Sequence, residues 1–153
     1  MDETGIHKEL VRERGRAARG VKVEDVRRGK KFHRTNVVAG QYKDANGKTI
    51  FVAPLCYQQT MNSEFFEEWF RKKLVKQIPK GSTIIMDRAS FHRKKKLTNL
   101  ARRHGMKLKL LPAYSPDFNP IEISWANMKC ALIDTMPFCD TLEDGIYAYL
   151  GGG

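Results

Sequence analysis

The sequence predicts a mixed α/β domain, because short apolar runs with the spacing of strands alternate with runs that have the spacing of amphipathic helices. The chain has 153 residues, which is enough for one compact core and too few for two ordinary ones. Hydrophobic residues make up 41% of it, a share typical of globular proteins and not of disordered ones. We therefore expect one domain over residues 1–153.

The first predicted elements form a β-hairpin. Residues 35–41 and 49–57 are rich in Val, Ile, Phe and Tyr, which favour extended backbone. Between them, Asn46-Gly47 is typical of a two-residue type I′ turn, in which both central residues have positive φ. Residues 8–31, ahead of the hairpin, are dominated by Arg and Gly and show no period, so they predict only an extended basic hairpin or an arm.

A helix and a strand are predicted next. From residue 62 to residue 77, apolar side chains recur every three or four residues, and Asn62 or Ser63 can serve as the N-cap. Pro79 and Gly81 end this helix. Residues 82–86 then form a short apolar run that stops at an aspartate, as a buried parallel strand does.

The remainder of the chain predicts three helices and one strand. A basic helix ends near His104, with Gly105 as its C′ residue. Residues 107–111 alternate like a strand, and Pro120 suits the first position of another amphipathic helix. A last short helix is expected over residues 141–150. The alternation of strands and helices implies a mixed sheet with helices packed on its faces.

The charge of the chain predicts a polyanionic partner. The formal net charge is +11, from 28 Lys plus Arg against 17 Asp plus Glu. Residues 7–34 alone hold eleven basic and four acidic side chains. Binding to nucleic acid releases counterions from neutralised phosphates, so DNA or RNA is the partner that this surface suits best. A solvated surface that only keeps the protein soluble is the alternative.

Other features argue against several classes of protein. We find no apolar run of about 18 residues and no charged start followed by an apolar stretch, so we expect neither a membrane span nor a signal peptide, and a cytoplasmic location. The three cysteines, Cys56, Cys130 and Cys139, include no C-x-x-C pair. They indicate neither a disulfide framework nor a zinc site, and we expect buried free thiols.

Two carboxylates lie at positions where α/β domains usually have their catalytic groups. Asp87 follows the strand of residues 82–86, and Glu122 lies in the first turn of the helix after it, with Asn119 as the predicted N-cap. Each has a structural alternative: Asp87 could simply end a strand, and Glu122 could bond back to the cap. Together they offer the hard oxygen ligands that Mg²⁺ requires, and two such ions can promote phosphoryl transfer.

The segment after Asp87 is strongly basic and opens a predicted helix. Its side chains could contact phosphates on either side of a scissile bond. A solvated helix face is the alternative for the basic run, and a surface or capping position is the alternative for the histidine before it. The predicted DNA contacts are Arg88, His92, Arg93, Lys94, Lys95 and Lys96.

The sequence around these carboxylates matches a known family. The matching stretches are residues 84–92 (IIMDRASFH), residues 110–122 (LLPAYSPDFNPIE), Trp125 and Lys129, with residues 2–5 (DETG) and 60–64 (TMNSE) nearer the N-terminus. They closely resemble the DDE transposases of the mariner superfamily, and best its bacterial insertion-sequence branch. Thirty-four residues lie between Asp87 and Glu122, which is the interval typical of that superfamily.

The resemblance implies a ribonuclease-H-like fold with Asp2, Asp87 and Glu122 as the catalytic, metal-binding triad. It also implies two Mg²⁺ or Mn²⁺ ions, DNA cleavage at transposon ends and strand transfer into target DNA. The implied partners are those two DNAs and a second transposase molecule, either another copy or the full-length protein, as a dimer. The nucleoid would be the place of action.

The resemblance carries two further expectations. The family places its first aspartate at the end of a central strand, whereas Asp2 lies one residue after Met1, so we expect a truncated first strand here, with Asp2 on a fraying terminus. We also expect this domain to lack an N-terminal helix-turn-helix domain. An inactive remnant that binds DNA non-specifically through its basic surface is therefore the alternative function. A cellular nuclease of the same fold is a third.

Overall fold

The structure, a computed structural model, describes residues 1–7, 19, 34–112 and 118–151. Its strands are β1 (Asp2–His7), β2 (Arg34–Lys43), β3 (Thr49–Tyr57), β4 (Thr83–Met86) and β5 (Lys107–Leu110). Helix α1 runs through Ser63–Trp69, a π-helical turn at Phe70–Leu74 and a last turn at Val75–Gln77, and is followed by α2 (Lys94–Arg103), α3 (Ile121–Thr135) and α4 (Leu142–Gly151). The predicted basic arm of residues 8–31 lies outside the described residues, apart from Arg19.

The strands form two sheets that meet at the start of the chain. β1, β2 and β3 make an antiparallel sheet in that order, and β4 pairs with β5 in parallel. The terminal ammonium group of Met1 donates a hydrogen bond of 2.9 Å to the carbonyl oxygen of Ile85, so it joins the start of β1 to β4. The first residue of β1 and the last residues of β4 are therefore neighbours.

The first strand is better supported than the sequence predicted. β1 pairs with β2 along its whole length, from Asp2 opposite Ala39 to His7 opposite Arg34. Met1 is only 8% exposed, because its side chain packs in the core. The expectation that Asp2 lies on a fraying terminus is therefore wrong.

Helices cover both faces of the larger sheet. One core contains Val38 and the apolar faces of α1 and α2, and the other contains Val37, Ala39 and the apolar faces of α3 and α4. Successive residues of β2 therefore point into different cores, which explains why this strand is apolar without alternation. The predicted mixed α/β architecture with flanking helices is confirmed.

Local signals predicted most element ends correctly. Asn62 is the N-cap of α1, and its side chain accepts a 2.8 Å hydrogen bond from the N–H of Phe65. Gly105 has a φ of 73° directly after the C-cap of α2, a conformation that glycine adopts without strain. These two residues fix where the helices around the site begin and end.

The hairpin loop differs from the predicted type I′ turn. Gly47 has a φ of 79°, but Asn46 does not have a positive φ, since Ala53 is the only such non-glycine residue in the part of the chain that the structure describes. The Asp44 carboxylate instead accepts 2.8 Å hydrogen bonds from the N–H groups of Asn46 and Lys48. An aspartate therefore organises a longer loop that needs one left-handed residue.

The cysteines are free, as expected, but none is fully buried: Cys56 and Cys139 are half-buried and Cys130 is exposed. Within the described ranges, no helix combines the length and the apolar character needed to cross a membrane.

Candidate active site

Three carboxylates predicted from the sequence come together where the two sheets meet. Asp2 is the first residue of β1, Asp87 directly follows β4, and Glu122 is the second residue of α3. The carboxyl groups of Asp2 and Glu122 are hydrogen-bonded to each other, and Asp2 also lies close enough to Asp87 to be affected by its charge. Elements far apart in the sequence thus supply one acidic cluster.

The Asp2 carboxyl group is the most perturbed of the three. Its burial raises the pKa to about 7, with the charge of Glu122, the hydrogen bond to Glu122 and the charge of Asp87 acting in the same direction. A hydrogen bond from the backbone of Glu3 opposes these effects in part. Asp2 is therefore partly protonated near neutral pH in the absence of a cation.

Asp87 has the opposite tendency. Nδ1 of His92 lies 3.3 Å from Oδ1 of Asp87, a close contact without hydrogen-bond alignment. The His92 ring holds the pKa of Asp87 below its usual value against the effect of burial, helped by the backbone of Ala89 and the ammonium group of Met1. Asp87 therefore remains ionised at neutral pH.

Aromatic packing fixes the histidine that faces Asp87. The ring centroid of His92 lies 4.3 Å from those of Phe66 and Phe91, and its side chain is only 4% exposed. Ser63, at the start of α1, donates a 2.6 Å hydrogen bond from its hydroxyl to the carbonyl of Phe91. The loop after β4 is thereby attached to the start of α1.

A buried glutamate attaches the same loop at its other end. The Glu67 side chain is 9% exposed and accepts two hydrogen bonds from the Arg93 guanidinium, of 2.6 and 2.8 Å. Nζ of Lys96 lies 2.6 Å from Glu67 as well. Bidentate pairing of this kind restricts orientation, so Glu67 fixes the position at which α2 begins.

Glu122 is exposed and does not take the structural role that the sequence allowed. The N-cap position of α3 is Pro120, without any side-chain cap hydrogen bond, and the backbone N–H of Glu122 donates to the carbonyl of Asn119 at 3.0 Å. The predicted capping by the Asn119 side chain is therefore wrong. The Glu122 carboxyl group is directed to Asp2 instead.

The chemistry of this cluster suits a divalent cation. Three carboxylates supply oxygen ligands only, and a cation between them would offset the mutual repulsion that adds to the effect of burial on the pKa of Asp2. Among residues 1–7, 19, 34–112 and 118–151, no three His, Cys, Asp or Glu side chains already form a coordination sphere. Binding would therefore require loss of the proton from Asp2 and a change in the positions of the side chains.

The predicted DNA contacts fall into three groups. Arg88, Lys94 and Lys95 are exposed and line one pocket. Arg93 and Lys96 are bound to Glu67. The remaining member, His92, is only 7% exposed and lies against Asp87. The contacts of all six residues with DNA stay predictions.

Sequence reasoning missed several residues of the site. Glu67 lies one turn before Phe70 and beside Phe66, and an acidic residue on the buried face of a helix is a signal for a paired charge. Glu3 accepts a 3.1 Å hydrogen bond from the Tyr57 hydroxyl, and its burial raises its pKa. No pattern in the sequence indicates that the Met1 ammonium group contacts β4.

Comparison with known proteins places the chain in a family. The family model described as DDE superfamily endonuclease matches residues 1–143. No curated protein sequence matches the chain. Among solved structures, the catalytic core domain of BIV integrase is similar, with a TM-score of 0.49 and 14% identity over 73% of this chain and 78% of that chain. Because the family match spans well over half of the residues, the chain belongs to the DDE superfamily endonuclease family.

Proposed function

We propose that this chain is the catalytic domain of a transposase of the mariner superfamily, in its insertion-sequence branch. It cleaves phosphodiester bonds at the ends of a mobile DNA element and joins the freed 3′-hydroxyl to target DNA. The observation that carries this proposal is the convergence of Asp2, Asp87 and Glu122 from three separate elements. Membership of a DDE endonuclease family supports the chemistry, and the sequence around Asp87 and Glu122 supports the branch.

In this proposal the three carboxylates would bind two Mg²⁺ or Mn²⁺ ions. Such ions stabilise the attacking and leaving oxygens of an in-line displacement at phosphorus. Asp87 is ionised, and a hydrogen bond attaches its loop to α1, so it provides a ready ligand. Asp2 would bind a cation only in its ionised form. Binding of the cation would therefore release a proton from Asp2.

DNA is the proposed partner, as both transposon end and target. The net charge of +11 favours binding to its phosphates, and exposed cationic side chains lie in the loop and helix that follow Asp87.

The protein acts as a dimer in this proposal, with another copy of this chain or with full-length transposase. The proposal also places the protein in the cytoplasm, at the nucleoid when bound to DNA.

A second candidate is a DNA-binding protein without cleavage activity. One observation favours it: the pKa of Asp2, about 7, leaves this carboxyl group partly protonated at neutral pH. The basic surface would bind DNA equally well in that case, because phosphate contacts need no metal.

Cleavage by matched variants separates the two candidates. Labelled DNA carrying the terminal repeat would be incubated with Mg²⁺ or Mn²⁺ and either the wild-type chain, Asp87→Asn or Glu122→Gln. Asp140→Asn, which changes an exposed acid ahead of α4, is the control. We expect each site variant to lose at least roughly 1000-fold in cleavage rate, about 4 kcal/mol of barrier. The control should cleave like the wild type.

Binding of the same DNA in EDTA completes the experiment. Equal affinity of all four proteins shows that the substitutions act on chemistry rather than on folding. Nicking that persists in both Asp87→Asn and Glu122→Gln contradicts the proposed function. Binding without nicking by the wild-type chain, with either metal, supports the second candidate.

A further inference from the structure

The basic run at the start of α2 is divided by the buried Glu67 carboxylate. Arg93 and Lys96 point to Glu67, which neutralises one charge and orients both side chains. Within the described part of the chain, no ion pair joins Arg88, Lys94 or Lys95 to a carboxylate. These three cations are therefore available to an external anion.

The three available cations surround one concavity. An open pocket of about 510 Å³ is lined by Arg88, Ser90, His92, Lys94 and Lys95, along with the stems of the two residues that pair with Glu67. Arg88 directly follows Asp87, so the pocket adjoins the acidic cluster. Opposite charges thus lie next to each other, with the carboxylates on one side and the cations on the other.

Hydrogen-bond donors in the pocket also lack acceptors. The first N–H groups of α2, those of Lys94 and Lys95, have no intrahelical partner, and Arg93 at the N-cap makes no side-chain cap hydrogen bond. His92, which lines the pocket, is more than nine-tenths buried; its Nδ1 faces Asp87, and its Nε2 has no hydrogen-bond partner. Helix N-termini with unpaired donors favour anions.

We propose that Arg88, Lys94 and Lys95, with the α2 N-terminus and His92, form a subsite that binds one backbone phosphate of the DNA strand next to the phosphate at the carboxylates. The inference rests on the proposed function, because it places this phosphate relative to a cleavage site. Successive phosphates on one strand rise by only about 3.4 Å, so neighbouring phosphates reach adjoining subsites. Because Glu67 and Ser63 attach the loop to α1, they hold the phosphate subsite at a constant distance from the carboxylates.

Salt dependence of binding tests the subsite without relying on cleavage. The affinity of the full chain for a short labelled duplex would be measured in EDTA over a range of NaCl concentrations. The proteins compared are the wild type, Lys94→Ala/Lys95→Ala and the charge-matched control Lys73→Ala/Lys76→Ala. The control lysines are exposed on α1 and lie at least about 15 Å along the helix from Ser63, at 1.5 Å of rise per residue.

We expect the Lys94/Lys95 variant to bind DNA more weakly and to lower the slope of log K against log salt by roughly 0.9, since the subsite accounts for one phosphate and each lost phosphate contact removes about 0.9. The control should keep the wild-type slope. An unchanged slope in the Lys94/Lys95 variant, or an equal reduction in both variants, overturns the subsite.

Cleavage assays keep this inference separate from the proposed function. If the wild type cleaves DNA while the Lys94/Lys95 variant keeps the wild-type salt slope, the subsite is wrong and the nuclease proposal stands. If the wild type does not cleave but the variant has the lower slope, DNA binding at this subsite is supported and the nuclease proposal fails.

Discussion

The two aspartates of the site belong to different sheets and are held in different ways. Asp87 follows β4 in a loop that Ser63 and Glu67 of α1 hold by hydrogen bonds. His92, in the same loop, packs against Asp87. Asp2 begins β1, and its position depends on pairing with β2 and on the Met1 contact with Ile85. One aspartate is therefore held by side-chain contacts, and the other by backbone pairing.

The difference extends to protonation. Burial and neighbouring carboxylates raise the pKa of Asp2 to about 7, whereas contact with His92 lowers the pKa of Asp87. At neutral pH the same functional group is thus ionised at one side of the cluster and partly protonated at the other. Environment, and not residue type, decides which carboxylate is ready to bind a cation.

The largest expected effect comes from changing the aspartate that begins β1. In the proposed metal site, Asp2→Asn removes an ionisable ligand while keeping the shape of the side chain, so we expect at least a roughly 1000-fold loss of cleavage rate, about 4 kcal/mol of barrier. A single-turnover nicking assay measures it. Activity close to that of the wild type would show that β1 does not contribute to the site and that Asp87 and Glu122 suffice.

The second prediction concerns pH and the metal-free protein. The folded pKa of Asp2, about 7, is raised above the reference value of 3.8, so the folded state favours the protonated group. The stabilising contribution is complete below pH 3.8 and is lost as the pH rises through 7. We expect the melting temperature of the wild type to fall by several degrees relative to Asp2→Asn between these values. If the melting temperatures of the two proteins, measured in EDTA, change equally with pH, the pKa of Asp2 is not raised in the folded state.

The third prediction concerns His92, which contacts Asp87. His92→Phe keeps an aromatic ring between Phe66 and Phe91 but removes the nitrogen that faces Asp87. Loss of a residue that orients a metal ligand typically costs about 10 to 100-fold in metal affinity or activity. The Mn²⁺ concentration that gives half-maximal cleavage should rise accordingly, with little change in melting temperature. His104→Gln, at the exposed C-cap of α2, is the control, and an equal Mn²⁺ requirement in all three proteins contradicts the role of His92.

The smallest effect is expected at the attachment of the loop. Glu67→Gln removes the buried charge that pairs with Arg93 and Lys96, so the melting temperature should fall by a few degrees. Glu68→Gln is the matched control, because the exposed pair of Glu68 with Lys72 contributes little. Thermal melting distinguishes the two variants. Equal stability would mean that packing, and not Glu67, holds the loop.

Much of the fold follows from local signals. The hairpin strands, the Asn62 cap, the Gly105 helix end and the strand before Asp87 were predicted from residues close to each other in the chain. Such features depend on periodicity and on backbone conformations that few residue types adopt. The sequence alone also selected Asp87 and Glu122, because their motifs and interval resemble those of a family with known chemistry.

Only the tertiary structure decided how these residues act. The burial of Asp2 and His92, the pairing of Glu67 with Arg93 and the contact of Met1 with Ile85 join residues from different elements. Solvation and charge interactions depend on distances in space, and no local pattern fixes the distance between residues that lie 84 positions apart. The sequence thus determines which groups are present, and packing determines which of them carry a proton and which can reach DNA.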